Sequence, residues 1–435
     1  METAPVRVGL LGCGHVGAQL ARLLDVDGRR ITERTGLAVE LAAVAVRSLT
    51  REREVDLAPG LLTTDTRAVV GDPSIDVIVE VMGGIEPART LILDAFKCGK
   101  AVVTANKELL ANCGSELFEA AAVAGVDLLF EASVGGGIPL IRPLRESLAG
   151  ERITRVTGIV NGTTNYILSR MTEAGASYHE ALAEAQSLGY AERDPTADVE
   201  GFDAAAKAAI LANVAFGVRM VAGDVYREGI DAITPADIIA AGRLGYVIKL
   251  LALVEQDDSG PVPTVAARVH PAMVARTHPL ASVRDSFNAV FVEGDAVGEL
   301  MLLGRGAGGL PTASAVLGDL LDAAYNLRSG RPGRTLTLRQ AIVLPIDDVR
   351  SAYYLTLSVA DRPGVLHSVA GVLGRHRVSI RSMEQDADDE PDGGDARLVF
   401  VTHPALERDV QACLHELRQL DVVESIGGLI RVVGQ

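Results

Sequence analysis

The residues Val6-Arg7-Val8-Gly9-Leu10-Leu11 run directly into Gly12-Cys13-Gly14-His15-Val16-Gly17, and a helical pattern follows at once. A short, almost wholly apolar β-run is what a strand buried on both faces requires, and the glycines after it form the G-x-G-x-x-G fingerprint in its strand, turn and helix setting. Gly12 and Gly14 allow the tight turn and a close approach of backbone to a pyrophosphate, while Gly17 lets the helix lie against the strand. The helix N-terminus carries partial positive charge suited to phosphate. His15 and Val16 open this helix beside the anion position, and His15 reads as a polar residue near phosphates rather than a catalytic base. A glycine turn in an unrelated α/β protein is the competing reading. Placement between a first strand and a first helix favours a dinucleotide.

Further β-runs at 39–46, 76–81, 101–104 and 126–130 alternate with helical stretches, so residues 1–150 read as a Rossmann-type, doubly wound parallel sheet. Runs at 152–160, 245–254, 262–269, 289–293 and 300–303, with alanine-rich helices at Tyr178–Ser187 and Phe202–Phe216, predict an α+β substrate and dimerisation domain over 151–310 with a largely antiparallel or mixed sheet. A helix over 312–325 is expected to pack back on the first domain, so 311–327 are assigned there. The glycine, proline and arginine break from Asn326 to Gly333 opens a linker, 326–350. Residues 351–435 then read as a separate unit, with strands at 353–359, 378–385, 396–402 and 422–433 and helices at 365–376 and 406–417. That β-α-β-β-α-β order is ferredoxin-like. The acidic stretch 386–395, with Pro391 and two glycines, reads as a solvated hairpin loop.

Composition narrows the function. A chain of 435 residues exceeds what one core usually supports, and about three domains of ~150 residues follow. A net charge of −16 repels phosphate backbones and anionic lipid, which argues against nucleic acid and membrane surfaces as partners. Cys13, Cys98, Cys113 and Cys413 show no CxxC spacing and read as reduced cytosolic thiols. The apolar run after Met1 is too short for a leader and no stretch reaches the ~20 apolar residues of a membrane span, so a cytoplasmic location is expected.

Three further segments carry chemistry. NAD sites usually place an acidic residue at the end of the second strand, whereas here Arg47 stands there with Arg51 close behind; a cation suits a 2′-phosphate, favouring NADP with NAD as the alternative. Lys107 begins a helix at the carboxyl end of a predicted strand, where the helix dipole opposes its charge, so a functional lysine competes there with an outward surface one. Within 189–207, Asp203 and Lys207 lie one turn apart on a helix with no other charge through Phe216. A surface pair of this type is worth only ~0.2–0.5 kcal/mol. Burying it for so little would not offset desolvation unless the pair lines a cleft.

Taken together, Gly189 to Lys207, Val81-Met82-Gly83-Gly84-Ile85-Glu86-Pro87-Ala88, Ala105-Asn106-Lys107-Glu108, Asn161-Gly162-Thr163-Thr164-Asn165 and Gly304-Arg305-Gly306-Ala307-Gly308 resemble the motifs of homoserine dehydrogenases, in order, over residues 6 to 325. His15 departs from a commoner threonine or serine. The resemblance implies reversible reduction of L-aspartate 4-semialdehyde to L-homoserine, in threonine, methionine and isoleucine biosynthesis. It implies that Lys107 and Lys207 flank the substrate, Lys207 being the proton donor. Glu192 and Asp203 would hold the substrate's ammonium and hydroxyl groups, supported by Asp198, with Gly162, Thr163 and Tyr190 also at the substrate. Gly189, Glu192, Lys107 and Gly306 would approach the cofactor. The loop 131–138 resembles one whose carbonyls hold a monovalent cation, which implies sodium or potassium bound by Glu131, Val134, Gly136 and Ile138. An aspartate kinase segment is not expected ahead of Val6.

The turn Asp361-Arg362-Pro363-Gly364-Val365-Leu366 resembles the effector turn of ACT domains. Pro363 and Gly364 shape it, the helix start suits a carboxylate, and threonine is the implied effector through Asp361, Pro363, Gly364, Val365 and Leu366. A domain used only for dimerisation is the other reading. A homodimer or homotetramer is expected. Two rivals remain at this stage: a related nicotinamide oxidoreductase acting on another semialdehyde, and an inactive amino-acid sensor of the same fold.

Overall fold

The computed structural model describes residues 4–387 and 395–434. Most of the acidic stretch expected to form a hairpin loop, 388–394, lies outside the described residues.

The first unit is a six-stranded parallel sheet of β1 (Val6–Leu11), β2 (Val39–Ala45), β3 (Leu62–Thr63), β4 (Val77–Glu80), β5 (Ala101–Thr104) and β6 (Leu128–Leu129). Between them run α1 (His15–Thr35), α2 (Thr66–Gly71), α3 (Ala88–Lys97) and α4 (Lys107–Ala124). The order β3-β2-β1-β4-β5-β6 makes the chain wind outward in both directions from β1 and β4. That reversal leaves a crevice at the strands' carboxyl ends, where doubly wound sheets take ligands. The run expected at 126–130 is only two residues long as a strand, because the chain turns into a 3₁₀ segment at Glu131–Ser133.

The second unit is built on β7 (Ile153–Ile159), β8 (Tyr226–Arg227), β9 (Tyr246–Asp257), β10 (Thr264–Ala275), β11 (Phe287–Gly294) and β12 (Gly298–Arg305). Its main path, β12-β11-β7-β9-β10, is antiparallel throughout. It carries α5 (Gly162–Ala174), α6 (Tyr178–Ser187), α7 (Thr196–Val199), α8 (Phe202–Phe216) and α9 (Pro235–Arg243). Helix α5 does not show in the apolar pattern because its first turns bury Thr163, Thr164 and Asn165. Helix α9 could have been found: Thr234 and Asp237 form a capping box around Pro235, a legible helix start.

Helix α10 (Gly309–Ser329) returns to the first unit, where Ala313, Val316 and Leu320 share a core with Val6, Val8 and Leu10. It continues to Ser329, so the break expected at Asn326 starts instead at Gly330, a left-handed cap. Then come β13 (Ile342–Val343), β14 (Arg350–Ala360), α11 (Val365–Arg375), β15 (Ile380–Ala387), β16 (Asp395–Thr402), β17 (Ala405–Leu406), α12 (Glu407–Leu417) and β18 (Val423–Val433). The sheet order β18-β14-β16-β15 with two helices is the ferredoxin-like arrangement.

This last unit has its own core but shares a sheet with the second. The end of β18 pairs in parallel with β10, Ala272 beside Arg431 and Val274 beside Val433, so one sheet runs through both units. Strand β10 would otherwise leave part of an edge unpaired. Beneath the junction Arg431, almost wholly buried, donates to Glu407 at 2.9 Å and to Glu228 at 2.9 Å. The Tyr353 hydroxyl also donates to Glu407, at 2.7 Å. Among the described residues no helix is long and apolar enough to cross a membrane.

Candidate active site

At the crevice of the first sheet the glycine turn is held by close packing on one side and open on the other. Gly12 has φ +100°, and a Cβ there would stand 2.8 Å from the Val81 carbonyl oxygen. A Cβ on Gly17 would stand 2.2 Å from the carbonyl oxygen of Gly12, while one on Gly14 would meet nothing within 4 Å. Gly14 also precedes α1 without a side-chain cap, so the helix's first N–H groups remain for an anion. These residues fit a dinucleotide pyrophosphate. His15 and Val16 start α1, with His15 Nδ1 3.1 Å from Glu54 Oε1 at the surface. Arg47 is exposed two residues past the end of β2.

Several residues that brace this crevice are absent from the sequence-based set. Glu80 closes β4 fully buried, accepting the N–H of Met82 at 2.8 Å and the Thr104 hydroxyl at 2.6 Å. Asn106 caps α4 through Leu109 N–H and donates to the Gly84 carbonyl at 2.7 Å. The 81–88 and 105–108 motifs are thereby tied together. A carboxylate ending an otherwise apolar strand was the available signal.

The two lysines meet at one carboxylate. Asp203, on the first turn of α8, accepts from Lys207 Nζ at 2.7 Å through Oδ2 and from Lys107 Nζ through Oδ1. Lys207 also donates to the Val160 carbonyl at 2.6 Å, at the end of β7. The Asn161 amide bridges Asp198 at 2.7 Å and Asp203 at 2.9 Å, while its oxygen caps α5 through Thr164 N–H. Asn161 is therefore a site residue that the sequence motif contained without singling out. Elements of both units converge here: α4 from the parallel sheet supplies Lys107, and α8 supplies the pair.

The electrostatics differ sharply among the three groups. Burial pulls the Lys207 ammonium below its usual range, and the like charge of Lys107 adds to this against the attraction of Asp203. Lys107 is also penalised by burial, but Asp203, Asp198 and Glu108 outweigh that and raise it. Asp203 is nearly wholly buried, which alone would raise its carboxyl, yet the two lysines hold it far below the carboxylate range.

The remaining substrate-side residues surround this cluster unevenly. Thr163 donates to the Tyr190 carbonyl at 2.7 Å and the Tyr190 ring packs on Tyr166, fixing the loop after α6. Gly162 lies against backbone, since a Cβ there would be 2.7 Å from the Ser286 carbonyl oxygen. Glu192 is exposed on that same loop, and no side-chain hydrogen bond among the described residues ties it to the lysines. Gly189 is exposed with φ +77°. Gly306 packs tightly on Asn288, whose buried amide has no partner among the described residues.

The loop 131–138 touches the same region, because a Cβ on Gly136 would come within 2.4 Å of the Gly306 carbonyl oxygen. The Glu131 carboxylate is already committed: it accepts the N–H groups of Leu140, of Ile141 at 2.7 Å and of Arg142 at 2.8 Å. What the loop can offer an alkali cation is the set of neutral carbonyl oxygens of Glu131, Val134, Gly136 and Ile138, which are hard donors suited to such an ion. In the C-terminal unit, Asp361, Pro363, Gly364, Val365 and Leu366 line a cavity of about 340 Å³ walled by that unit alone.

The chain matches known proteins along its whole length. Residues 12–131 match the model of the homoserine dehydrogenase NAD binding domain, 139–321 that of homoserine dehydrogenase and 353–421 that of the ACT domain. The chain is 49% identical to homoserine dehydrogenase from Mycobacterium tuberculosis over 438 residues, covering 100% of this chain and 99% of the relative. It is 41% identical to that from Bacillus subtilis, covering 99% and 98%. The crystal structure of a homoserine dehydrogenase from Thiobacillus denitrificans superposes with a TM-score of 0.91 at 42% identity, over 99% of this chain and 98% of that one. A hyperthermophilic archaeal homoserine dehydrogenase in complex with NADPH superposes at 0.64 with 28% identity, over 77% of this chain and 100% of that one.

Proposed function

Because the chain belongs to the homoserine dehydrogenase family, oxidoreductases acting on a CH–OH group, we propose that it reversibly reduces L-aspartate 4-semialdehyde to L-homoserine with Lys207 as the proton donor. The observation that carries this reading is Asp203 held between Lys207 and Lys107 where the parallel and antiparallel units meet. The bound nicotinamide supplies or accepts the hydride. As the aldehyde is reduced its oxygen gains negative charge, and an ammonium within hydrogen-bond reach both stabilises that charge and delivers the proton. In this reading Lys207, enclosed between Asp203 and the Val160 carbonyl, transfers the proton and Lys107 orients the substrate. Glu192 and Asp203, supported by Asp198, hold the substrate's ammonium and hydroxyl groups, while Gly162 and Thr163 at the start of α5 offer N–H groups to its carboxylate. Tyr190 closes one side.

In the same reading NADP(H) is the preferred cofactor, seated on Gly12, Gly14, His15, Val16 and Gly17, with Gly189, Glu192, Lys107 and Gly306 along it and Arg47 at the 2′-phosphate. The archaeal relative's NADPH is consistent with this choice. Sodium or potassium sits in the 131–138 loop. The enzyme acts in the cytoplasm as a homodimer or homotetramer in threonine, methionine and isoleucine formation, and threonine inhibits it through the C-terminal unit.

Initial rates of homoserine-dependent reduction of NADP⁺ and NAD⁺ test the cofactor assignment. NADP⁺ is expected to have the higher kcat/KM, and Arg47→Asp is expected to remove most of that advantage through loss of a charge-assisted contact, about tenfold or more. A preference for NAD⁺ that the substitution leaves unchanged contradicts it.

A further inference from the structure

Between the C-terminal sheet and helix α9 lies a cavity of about 690 Å³, distinct from both the lysine cluster and the 361–366 turn. Side chains alternate along β14: Tyr353, Leu355 and Leu357 point into the core under α11 and α12, so Thr356 and Ser358 face the other way. Ser358, Arg397 of β16 and Ser425 of β18 form the sheet wall of the cavity, and Glu228, Asp231 and Asp237 lie on the opposite wall. Arg397 thus faces carboxylates across a space lined by hydroxyls and by apolar residues such as Ile233, Pro271 and Leu429.

The backbone keeps the cavity open. β18 passes it as Gly427-Gly428, where its pairing with β14 slips register. A Cβ on Gly428 would stand 2.3 Å from Asp237 Oδ1, and one on Gly427 would stand 2.3 Å from Thr356 Oγ1. The missing side chains let the far wall approach the sheet without filling the space.

We propose that this cavity is a second binding site for a free α-amino acid, its carboxylate toward Arg397 and its ammonium toward Asp231 and its neighbours. The proposal rests on the regulation by an amino acid put forward above. Arg397 facing Asp231 complements a zwitterion, while Glu228 is held by Arg431 and Asp237 by the cap of α9, and Ile233, Pro271 and Leu429 offer apolar surface to a side chain. The position also gives the ligand leverage. A ligand shifts a conformational equilibrium only by interacting differently with its states, and one in this cavity touches the regulatory sheet and the catalytic unit at once. The 361–366 pocket touches only the former. Helix α9 packs on β9 and on α5, and α5 begins at Gly162 beside the lysine cluster.

The test is isothermal titration of the full-length protein with each of the twenty standard L-amino acids, L-threonine first, on wild type, Arg397→Leu, Asp231→Asn and Gly364→Asp. An amino acid that binds wild type is expected to lose about tenfold to a hundredfold in affinity with Arg397→Leu and with Asp231→Asn, as loss of a charge-assisted hydrogen bond implies. With Gly364→Asp it should stay within about threefold, less than one such bond is worth. Asp231 is exposed, so its variant keeps the test valid if Arg397→Leu does not fold. Binding weakened by Gly364→Asp and untouched by the other two overturns the cavity site while leaving amino-acid regulation standing. Absence of binding by any amino acid at millimolar concentration overturns both.

Discussion

Lys207→Ala is expected to lower kcat for homoserine oxidation by about 10²–10⁴-fold, the range for loss of a general acid or base, with cofactor affinity little changed. The side chain is buried, donates to Asp203 and to the Val160 carbonyl, and has its ammonium depressed by burial. Its removal deletes the proton route without touching the glycine turn. Lys107→Ala should also impair turnover, and because both ammonium groups share Asp203 the two losses should not add. A folded Lys207→Ala enzyme keeping more than about a tenth of wild-type kcat, well short of that loss, would mean that the lysine is structural.

Asp203→Ala carries the largest expected effect on stability. It leaves two ammonium groups facing each other with no anion between them, one of them enclosed, and deprives Asn161 of one acceptor. Breaking a buried pair from one side costs about 3–5 kcal/mol. Urea denaturation should show the midpoint falling with an unchanged slope. The sign with pH follows from the carboxyl lying below its unfolded value: the wild-type advantage is fully present above about pH 4 and fades as the pH falls further. A loss under about 1 kcal/mol, the value of an exposed pair, would show that the cluster is open to water.

The structure also changes how regulation should be probed. Cutting the chain near Gly333 would strip β18 from β10, remove Tyr354, Ile430 and Val432 from the core they share with the catalytic unit, and leave Glu228 without Arg431. A truncated enzyme therefore tests the integrity of the catalytic sheet as much as effector binding. Point substitutions in the cavity or the turn separate the two.

Periodicity and punctuation carried much of the fold. The parallel sheet was legible because apolar runs alternate with helices, and α6 and α8 because they are alanine-rich stretches between loops. Leu62–Thr63 was not, since so short a strand is defined by its neighbour rather than by its own pattern, and of the run read at 126–130 only Leu128–Leu129 pairs. The continuity of β10 with β18 was hidden for a similar reason: strand pairing across some 150 residues leaves no local mark. At the site, charged residues on an apolar helix pointed to Asp203 and Lys207. Asn161, Asn106 and Glu80 stayed obscure because capping and loop-bracing residues are common in any chain, and only their partners give them meaning. Glu192, read at the substrate, lies exposed on the loop after α6.

The most direct test of the central claim is a crystal structure of the wild-type enzyme with L-homoserine and the oxidised dinucleotide bound together. The hydroxyl oxygen of homoserine is expected within about 2.6–3.2 Å of Lys207 Nζ, the reach a proton transfer requires. Homoserine seated with its hydroxyl beyond that reach of Lys207, and held instead by another acid or base, would contradict the assignment.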